Sequence, residues 1–337
     1  MTVAVTGATG HIGANLVRAL IDSGRSPRCL VHVNCRAIDT LNAERVSGDI
    51  RDVESLCRAF QGIDVVYHLA ASISLSMADW SRLEEINVNG TRNVVEACLR
   101  TGVRRLIHFS SIHALEQEPF NTPVDESRPL VTSRRYPPYD RSKAASEREV
   151  RWGIERGLDA VIIYPTAVLG PYDYQPSFFG EALLGMAQRK LPALVRGGFD
   201  WVDARDVAAG AMLAEEKAPA GARYLLSGHW VSMCDIAAMV EEITGVSTRR
   251  PVCPLWLARV GVPFIKGMSR LNGKRPLYTS VSLRALKSNR HISRERAKRE
   301  LDYQPRPFRE SLADTLRWFE ENGQLHLPAK IKSGESR

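Results

Sequence analysis

The 337-residue chain has no uninterrupted apolar run of about 18 residues, so hydropathy offers no membrane-spanning helix. Its six cysteines form no C-x-x-C pair and no metal-ligand spacing, so nothing in them points to a metal site or a disulfide framework. A core-type strand opens the chain with no signal-like segment ahead of it, and the thiols are expected reduced, in a cytoplasmic protein. Internal repeats and low-complexity tracts are missing as well. One further absence bears on chemistry: residues 28 to 38 carry no acidic side chain.

Positive charge is in surplus, at a formal +8, but the Lys and Arg residues are spread among acidic ones. The densest groups, Lys266 to Arg275 and Arg284 to Arg299, contain no nucleic-acid motif. A solvated basic face that favours anionic cofactors is the expectation, with no nucleic-acid partner. Composition is that of a globular chain, 44% hydrophobic and 25% charged.

Thr6-Gly7-Ala8-Thr9-Gly10-His11-Ile12-Gly13 stands between the apolar run Val3-Ala4-Val5 and the helix-spaced Ala14 to Leu20. A strand, a glycine turn and a helix N-terminus make an anion site, because free N–H groups and the positive end of the helix dipole face the same point. The glycines let the backbone come close to a pyrophosphate. Further on, the pattern predicts a second strand at Arg28 to Val33, a polar loop at Arg45 to Ile50 and a helix from Asp52 to Phe60. Strands follow at Val65 to Ala71, Leu106 to Ser111 and Ala160 to Tyr164, with helices at Asn87 to Arg100, Asp140 to Glu155 and Asp235 to Thr244. Alternation of this kind predicts an α/β doubly wound parallel sheet with ligands at the carboxyl ends of its strands. Residues 1–170 form the expected dinucleotide-binding domain, with core strands extending to about 210. A smaller, mostly helical C-terminal substrate lobe is expected over 171–327, and a flexible tail over 328–337.

Ser111 ends a predicted strand at the ligand edge, and Tyr139 and Lys143 lie one helical turn apart on one face. A phenol can give or take a proton at a carbonyl or alcohol oxygen, an ammonium beside it favours the phenolate, and a serine hydroxyl adds a hydrogen bond to the same oxygen. Tyr136 is a decoy, since the residue four after it is Asp140, which supplies no cation.

In order along the chain stand T-G-x-x-G-x-x-G, Gly48-Asp49-Ile50, His68-Leu69-Ala70-Ala71, Asn87-Val88-Asn89-Gly90-Thr91, Ser110-Ser111, Tyr139-x-x-x-Lys143, Pro165-Thr166-Ala167-Val168-Leu169-Gly170-Pro171 and Trp201 to Ala208. Over about residues 1 to 320 this series resembles an extended short-chain dehydrogenase/reductase with a Rossmann sheet, and most closely its dihydroflavonol reductase and aldehyde reductase branch. The resemblance implies that Gly7, Thr9, Gly10, His11, Ile12 and Gly13 border the pyrophosphate, Asp49 and Ile50 the adenine, Ala70 and Ala71 the ribose, and Pro165 and Thr166 the nicotinamide. It implies Tyr139 as acid/base, Lys143 as the ribose-binding cation that lowers the Tyr139 pKa, and Ser111 as the group that polarises the substrate oxygen. Asn87 is expected to hold backbone structure.

An NAD site usually ends its second strand with an acid that accepts from the ribose 2′-OH. His32 and Arg36 stand in that stretch instead, which favours NADP(H), with NAD(H) the rival. Ser72, His113, Glu116, Tyr172, Phe178 and Trp201 are candidate substrate-lining residues, His113 read as substrate-facing and not catalytic. The leading expectation is reduction of a small-molecule aldehyde or ketone, dihydroflavonol-like, to an alcohol. The alternatives are a sugar-nucleotide epimerase or dehydratase on tightly bound NAD, a hydroxysteroid-type dehydrogenase, and a non-catalytic dinucleotide sensor. Helices 87 to 100 and 140 to 155 could pair into a homodimer's four-helix interface. The segment Pro254 to Ile265, with Lys266 and Arg270, reads as a helix of the substrate lobe in preference to a membrane-surface anchor.

Overall fold

The computed structural model describes residues 1–32, 35–262 and 278–327. The chain begins with β1 (Val3–Thr6), α1 (His11–Asp22), β2 (Pro27–Val31), β3 (Glu44–Ser47), α2 (Val53–Phe60) and β4 (Val65–His68). Next come α3 (Trp80–Leu83), a π-helical turn at Glu84–Asn89, α4 (Gly90–Thr101), β5 (Arg105–Phe109), a 3-10 turn at Ile112–Ala114, α5 (Pro138–Ile154) and β6 (Asp159–Pro165). The later elements are β7 (Ala167–Leu169), α6 (Phe178–Ala187), β8 (Leu194–Val195), β9 (Gly198–Asp203), α7 (Ala204–Lys217), β10 (Arg223–Leu226), β11 (His229–Ser232), α8 (Met233–Thr244) and β12 (Val252–Cys253). After these, residues 255–262 are helical, and α9 (Ser280–Ala285), α10 (Glu295–Leu301) and α11 (Phe308–Glu321) complete the order.

Seven parallel strands form the central sheet in the order β10-β6-β5-β4-β1-β2-β3. Both faces are covered, and the strand period of two sorts side chains between them. Ala4, Val66, Leu106 and Ile162 face Leu56 and Phe60 of α2, Val94 of α4 and Val150 of α5. Val3, Val5, Tyr67 and Ile107 face Leu16 and Leu20 of α1, and Val207 and Ala211 of α7. Strand order reverses between β1 and β4, so the crevice that takes ligands in such sheets opens at their carboxyl ends.

Three differences from the predicted elements have physical causes. Residues 45–47 of the predicted polar loop join Glu44 in the edge strand β3, whose polarity reflects pairing on one side alone. The sheet also takes its seventh strand from 223–226, beyond the expected limit of about 210. Besides its helices, the C-terminal lobe holds the three-stranded sheet β11-β9-β7 and the two-stranded sheet β12-β8. Its core joins Leu183 of α6, Ile236 and Val240 of α8, and Leu312, Leu316 and Phe319 of α11. The expected tail 328–337, Val33 at the end of the second strand, and Pro263 to Ile265 with Lys266 and Arg270 lie outside the described residues. Among those described, no helix is long and apolar enough to cross a membrane.

Candidate active site

The turn between β1 and α1 sits against the end of β4, backbone on backbone. Gly7 has φ +72°, and a Cβ on it would stand 2.6 Å from the Ala70 nitrogen. A Cβ on Gly13 would overlap the Gly7 carbonyl oxygen and meet the Ala8 Cα at 2.9 Å. Only hydrogen fits at either place. The N-cap of α1 is Gly10, which offers no side-chain acceptor, and the first turn has no acidic residue. Its N–H groups are thereby left for an outside anion, so the turn fits a pyrophosphate. Thr9 and Ile12 are half-buried within this turn. His11 departs from its expected role in the phosphate cradle. Its ring Nε2 lies 3.0 Å from the Gly170 oxygen and 3.1 Å from the Pro171 oxygen, and the Asn15 amide also donates to Pro171 at 3.0 Å. The His11 ring therefore ties α1 to the segment after β7.

At the other end of the crevice His32 is exposed just past β2, its Nε2 3.5 Å from Asp49 Oδ2. Arg51 grips Asp49 at 2.6 Å and holds that carboxyl below its usual value, with His32 adding to the effect against partial burial. Ile50 is buried against Gly90. Arg36 is exposed, its guanidinium 5.8 Å from the Tyr174 ring. The nearest acid of the β2–β3 loop, Asp39, pairs with Arg45 at 3.5 Å. Ala70 and Ala71 follow β4, and Pro165 and Thr166 are buried at the end of β6.

Ser111, Tyr139 and Lys143 meet at the carboxyl end of β5. Ser111 caps the 3-10 turn, its Oγ accepting from the His113 N–H at 3.2 Å. Lys143, 4% exposed, donates from Nζ to the Phe109 carbonyl at 2.6 Å. Burial pushes the Tyr139 phenol up to about 12, with a hydrogen bond to Ser111 opposing it. That is the reverse of the lowering expected from Lys143. Burial also takes the Lys143 ammonium down to about 8, against the pull of Glu147. Both movements follow from one rule, since desolvation disfavours whichever form is charged.

Two histidines that the sequence left without a role lie close behind. His68 and His108 face each other across β4 and β5 with ring centroids 5.3 Å apart. Burial, and then Lys143, drive the His68 pKa down to about 3 and that of His108 well below its usual value. His68 sits 2.8 Å from Thr6 Oγ1 and 3.0 Å from Thr91 Oγ1, while neither ring nitrogen of His108 has a partner among the described residues. His68 opens the His68-Leu69-Ala70-Ala71 motif, while His108 was marked only by lying within an apolar strand.

Asn87 holds backbone structure as expected. Its Oδ1 accepts from the Ser72 N–H at 2.7 Å, and its Nδ2 donates to the Ser72 carbonyl and to Ser142 Oγ, each at 2.9 Å. The loop after β4 is thus clamped to α5 between Tyr139 and Lys143. Tyr136, the decoy, is buried between the guanidinium groups of Arg135 and Arg284. The His113 ring stands edge-on to Tyr139 at 6.3 Å, and Glu116 follows it, half-buried.

The other candidate wall residues diverge. Trp201 is 3% exposed, packed on Phe179 at 3.9 Å and donating to the Val231 carbonyl, so it is core and not a substrate wall. Tyr172 lies under the Arg18 guanidinium at 3.9 Å and against Tyr174 and Trp318, which commits its ring to joining α1 and the lobe. Phe178 opens α6 half-buried, and Ser72 is buried beside Asn87.

A glycine turn that fits a pyrophosphate at the sheet's reversal point, joined to a Ser-Tyr-Lys constellation at the carboxyl end of β5, defines a dinucleotide-dependent α/β oxidoreductase. The chain belongs to the NAD dependent epimerase/dehydratase family, whose model matches residues 3–226, within the extended short-chain dehydrogenase/reductase superfamily. It is an NAD(P)-dependent oxidoreductase of that superfamily. It is 38% identical to "Sterol demethylase protein B" of Methylococcus capsulatus, over 96% of this chain and 100% of that one. It is also 31% identical to a Synechocystis protein bearing a dihydroflavonol 4-reductase name, over 95% of each. The crystal structure of gox2253 matches it with a TM-score of 0.83 at 33% identity, covering 96% of this chain and 99% of that one.

Proposed function

We propose that the protein reduces a carbonyl group to an alcohol with NADP(H), using Ser111, Tyr139 and Lys143. The observation that carries this reading is the meeting of Ser111 at the end of β5 with Tyr139 and Lys143, one turn apart on α5, where Lys143 is anchored to the Phe109 carbonyl. A phenol at about 12 keeps its proton at neutral pH, as a proton donor must. Gly7, Gly10 and Gly13 would hold the pyrophosphate and Pro165 and Thr166 the nicotinamide, and the bound dinucleotide supplies the hydride that the carbonyl carbon accepts. Ser111 donates a hydrogen bond to the carbonyl oxygen, which takes the Tyr139 proton as negative charge builds on it. Lys143 then stabilises the phenolate left behind, where low dielectric makes its charge most effective.

NADP(H) is favoured by the acid-free end of β2 and the exposed Arg36. Asp49 and Asp39, the nearby acids, are each engaged by an arginine. The substrate class we favour is a largely apolar ring ketone. A sterol and a dihydroflavonol appear in the relatives' names, and both are fused-ring molecules.

The test is oxidation of NADPH and of NADH by the purified protein with aldehydes, ring ketones and UDP-sugars. Ketone-dependent consumption of NADPH, lowered about a thousandfold in Tyr139→Phe with dinucleotide binding retained, is the expected result. Turnover of a UDP-sugar on co-purified NAD, with no dinucleotide added, would replace this reading with an epimerase.

A further inference from the structure

The site holds an acid/base group that hydride transfer does not use. His11 is tied to the Gly170 and Pro171 carbonyls, and His68 and His108 are buried behind Lys143. His113 differs from all three: a third of its side chain is exposed, and its ring lies against Tyr139. Its position is coupled to the oxygen-binding groups by the backbone, because the His113 N–H donates to Ser111 Oγ at 3.2 Å. The turn that aims the Ser111 hydroxyl therefore also fixes where the imidazole starts.

His113 Nδ1 lies 3.9 Å from Asp140 Oδ1, a carboxyl only 15% exposed. That is longer than a hydrogen bond but within strong electrostatic reach. A carboxylate on this side favours the tautomer with its proton on Nδ1 and leaves the lone pair on Nε2. Asp140 is the residue after Tyr139, so the phenol and the group that orients the imidazole leave α5 from neighbouring positions.

We infer that His113, oriented by Asp140, is a second acid/base of this site and exchanges the proton on the carbon next to the carbonyl, so that the protein enolises ring ketones as well as reducing them. The inference rests on the reading that Ser111 and Tyr139 hold the carbonyl oxygen. Two hydrogen-bond donors on that oxygen acidify the adjacent C–H, the same polarisation that prepares the carbon for hydride. His113 Nε2 takes the proton. The C–H electron pair becomes the new C=C bond, the carbonyl π pair moves to oxygen, and that oxygen receives the Tyr139 proton to give the enol. In the return step the phenolate recovers its proton and the imidazolium protonates the carbon. Nothing is oxidised or reduced, so no co-reactant is required. An imidazole that is partly exposed trades its proton with solvent between the two steps, which makes the event visible as isotope uptake.

The experiment follows cyclohexanone and a 3-ketosteroid in deuterated buffer by NMR, with the full-length protein and NADP+, and measures NADPH oxidation on the same ketones in parallel. Wild-type protein is expected to deuterate the α-carbon faster than buffer does. His113→Gln should lower the ratio of exchange to reduction about a hundredfold. Asp140→Asn, acting through the imidazole, should lower the same ratio by about tenfold, and Tyr139→Phe should suppress both activities. A misfolded variant would lose both activities together and leave the ratio unchanged, and His113→Asn is the second variant for that event. Reduction of a ketone by wild type without exchange above buffer overturns the inference while leaving the reductase reading standing. So does an unchanged ratio in both His113 variants when their reduction is retained. If wild type neither reduces nor exchanges any ketone, the oxygen site itself is misassigned and the inference falls with it.

Discussion

Replacing Lys143 by methionine should remove activity and stabilise the fold. The ammonium is buried, and burial brings its pKa from 10.5 to about 8. At about 1.4 kcal/mol for each tenfold change in the proton equilibrium, the charged form is about 3 kcal/mol less at home in the folded protein than in the unfolded chain. Methionine fills a similar volume without the charge, but forfeits the hydrogen bond to the Phe109 carbonyl, worth about 1 kcal/mol. The balance is a gain of roughly 2 kcal/mol at pH 7. Between pH 8 and 10.5 the unfolded chain keeps a proton on this lysine that the folded protein has released. Wild-type stability therefore gains a rising contribution with pH across that window, and in Lys143→Met it disappears. Urea denaturation of both proteins at pH 7, 8, 9 and 10 measures this directly. The variant should lead at pH 7 by roughly 2 kcal/mol and have lost the whole of that lead by pH 10. A variant less stable than wild type at pH 7, or a lead that does not shrink with pH, would refute the argument that Lys143 is held against its own solvation for function.

Two further predictions concern charge at either end of the crevice. Arg36→Glu should lower kcat/KM for NADPH about tenfold or more and spare NADH, since it turns a cation near the expected 2′-phosphate into an anion; equal losses with both dinucleotides would remove Arg36 from cofactor selection. His108→Leu should make the fold less acid-labile. Burial depresses the His108 pKa from its usual 6.5, so the unfolded chain gains a proton as pH falls below 6.5 while the folded protein does not. The variant should lose less stability than wild type as pH falls below 6.5, readable as a flatter dependence of the denaturation midpoint on pH.

The strands most legible in the sequence were those buried on both faces. β1, β4, β5 and β6 are mostly apolar because helices cover each side of the sheet. β3 escaped notice for the complementary reason: Glu44, Arg45 and Ser47 belong to an edge that solvent reaches, and no apolar run marks it. The helix expected from Asn87 does run on to Thr101, but the helical chain starts at Trp80, and its π-helical turn at Glu84–Asn89 breaks the 3.6-residue period by which it would have been seen. Trp201 invited a reading as a pocket wall because a tryptophan looks the same in either setting. What buries it comes from far along the chain, in Phe308 and Val231.

The spacing of Ser111, Tyr139 and Lys143 was also legible, because helical geometry carries it, whereas the electrostatics of the site were not. From spacing alone the ammonium should lower the phenol. In the structure burial dominates and moves the two groups in opposite directions, the phenol up to about 12 and the ammonium down to about 8. Sequence cannot supply that sign, since it depends on His68, His108 and the strand ends that exclude water, and on a backbone acceptor, the Phe109 carbonyl, that no residue type encodes. The consequence reaches the chemistry. Tyr139 would hold its proton tightly until an oxygen with developing charge offers a better site for it, and Lys143, poorly solvated by the protein, would favour the phenolate that remains. The desolvation that makes Lys143 costly for the fold therefore also gives its charge leverage in the step we propose.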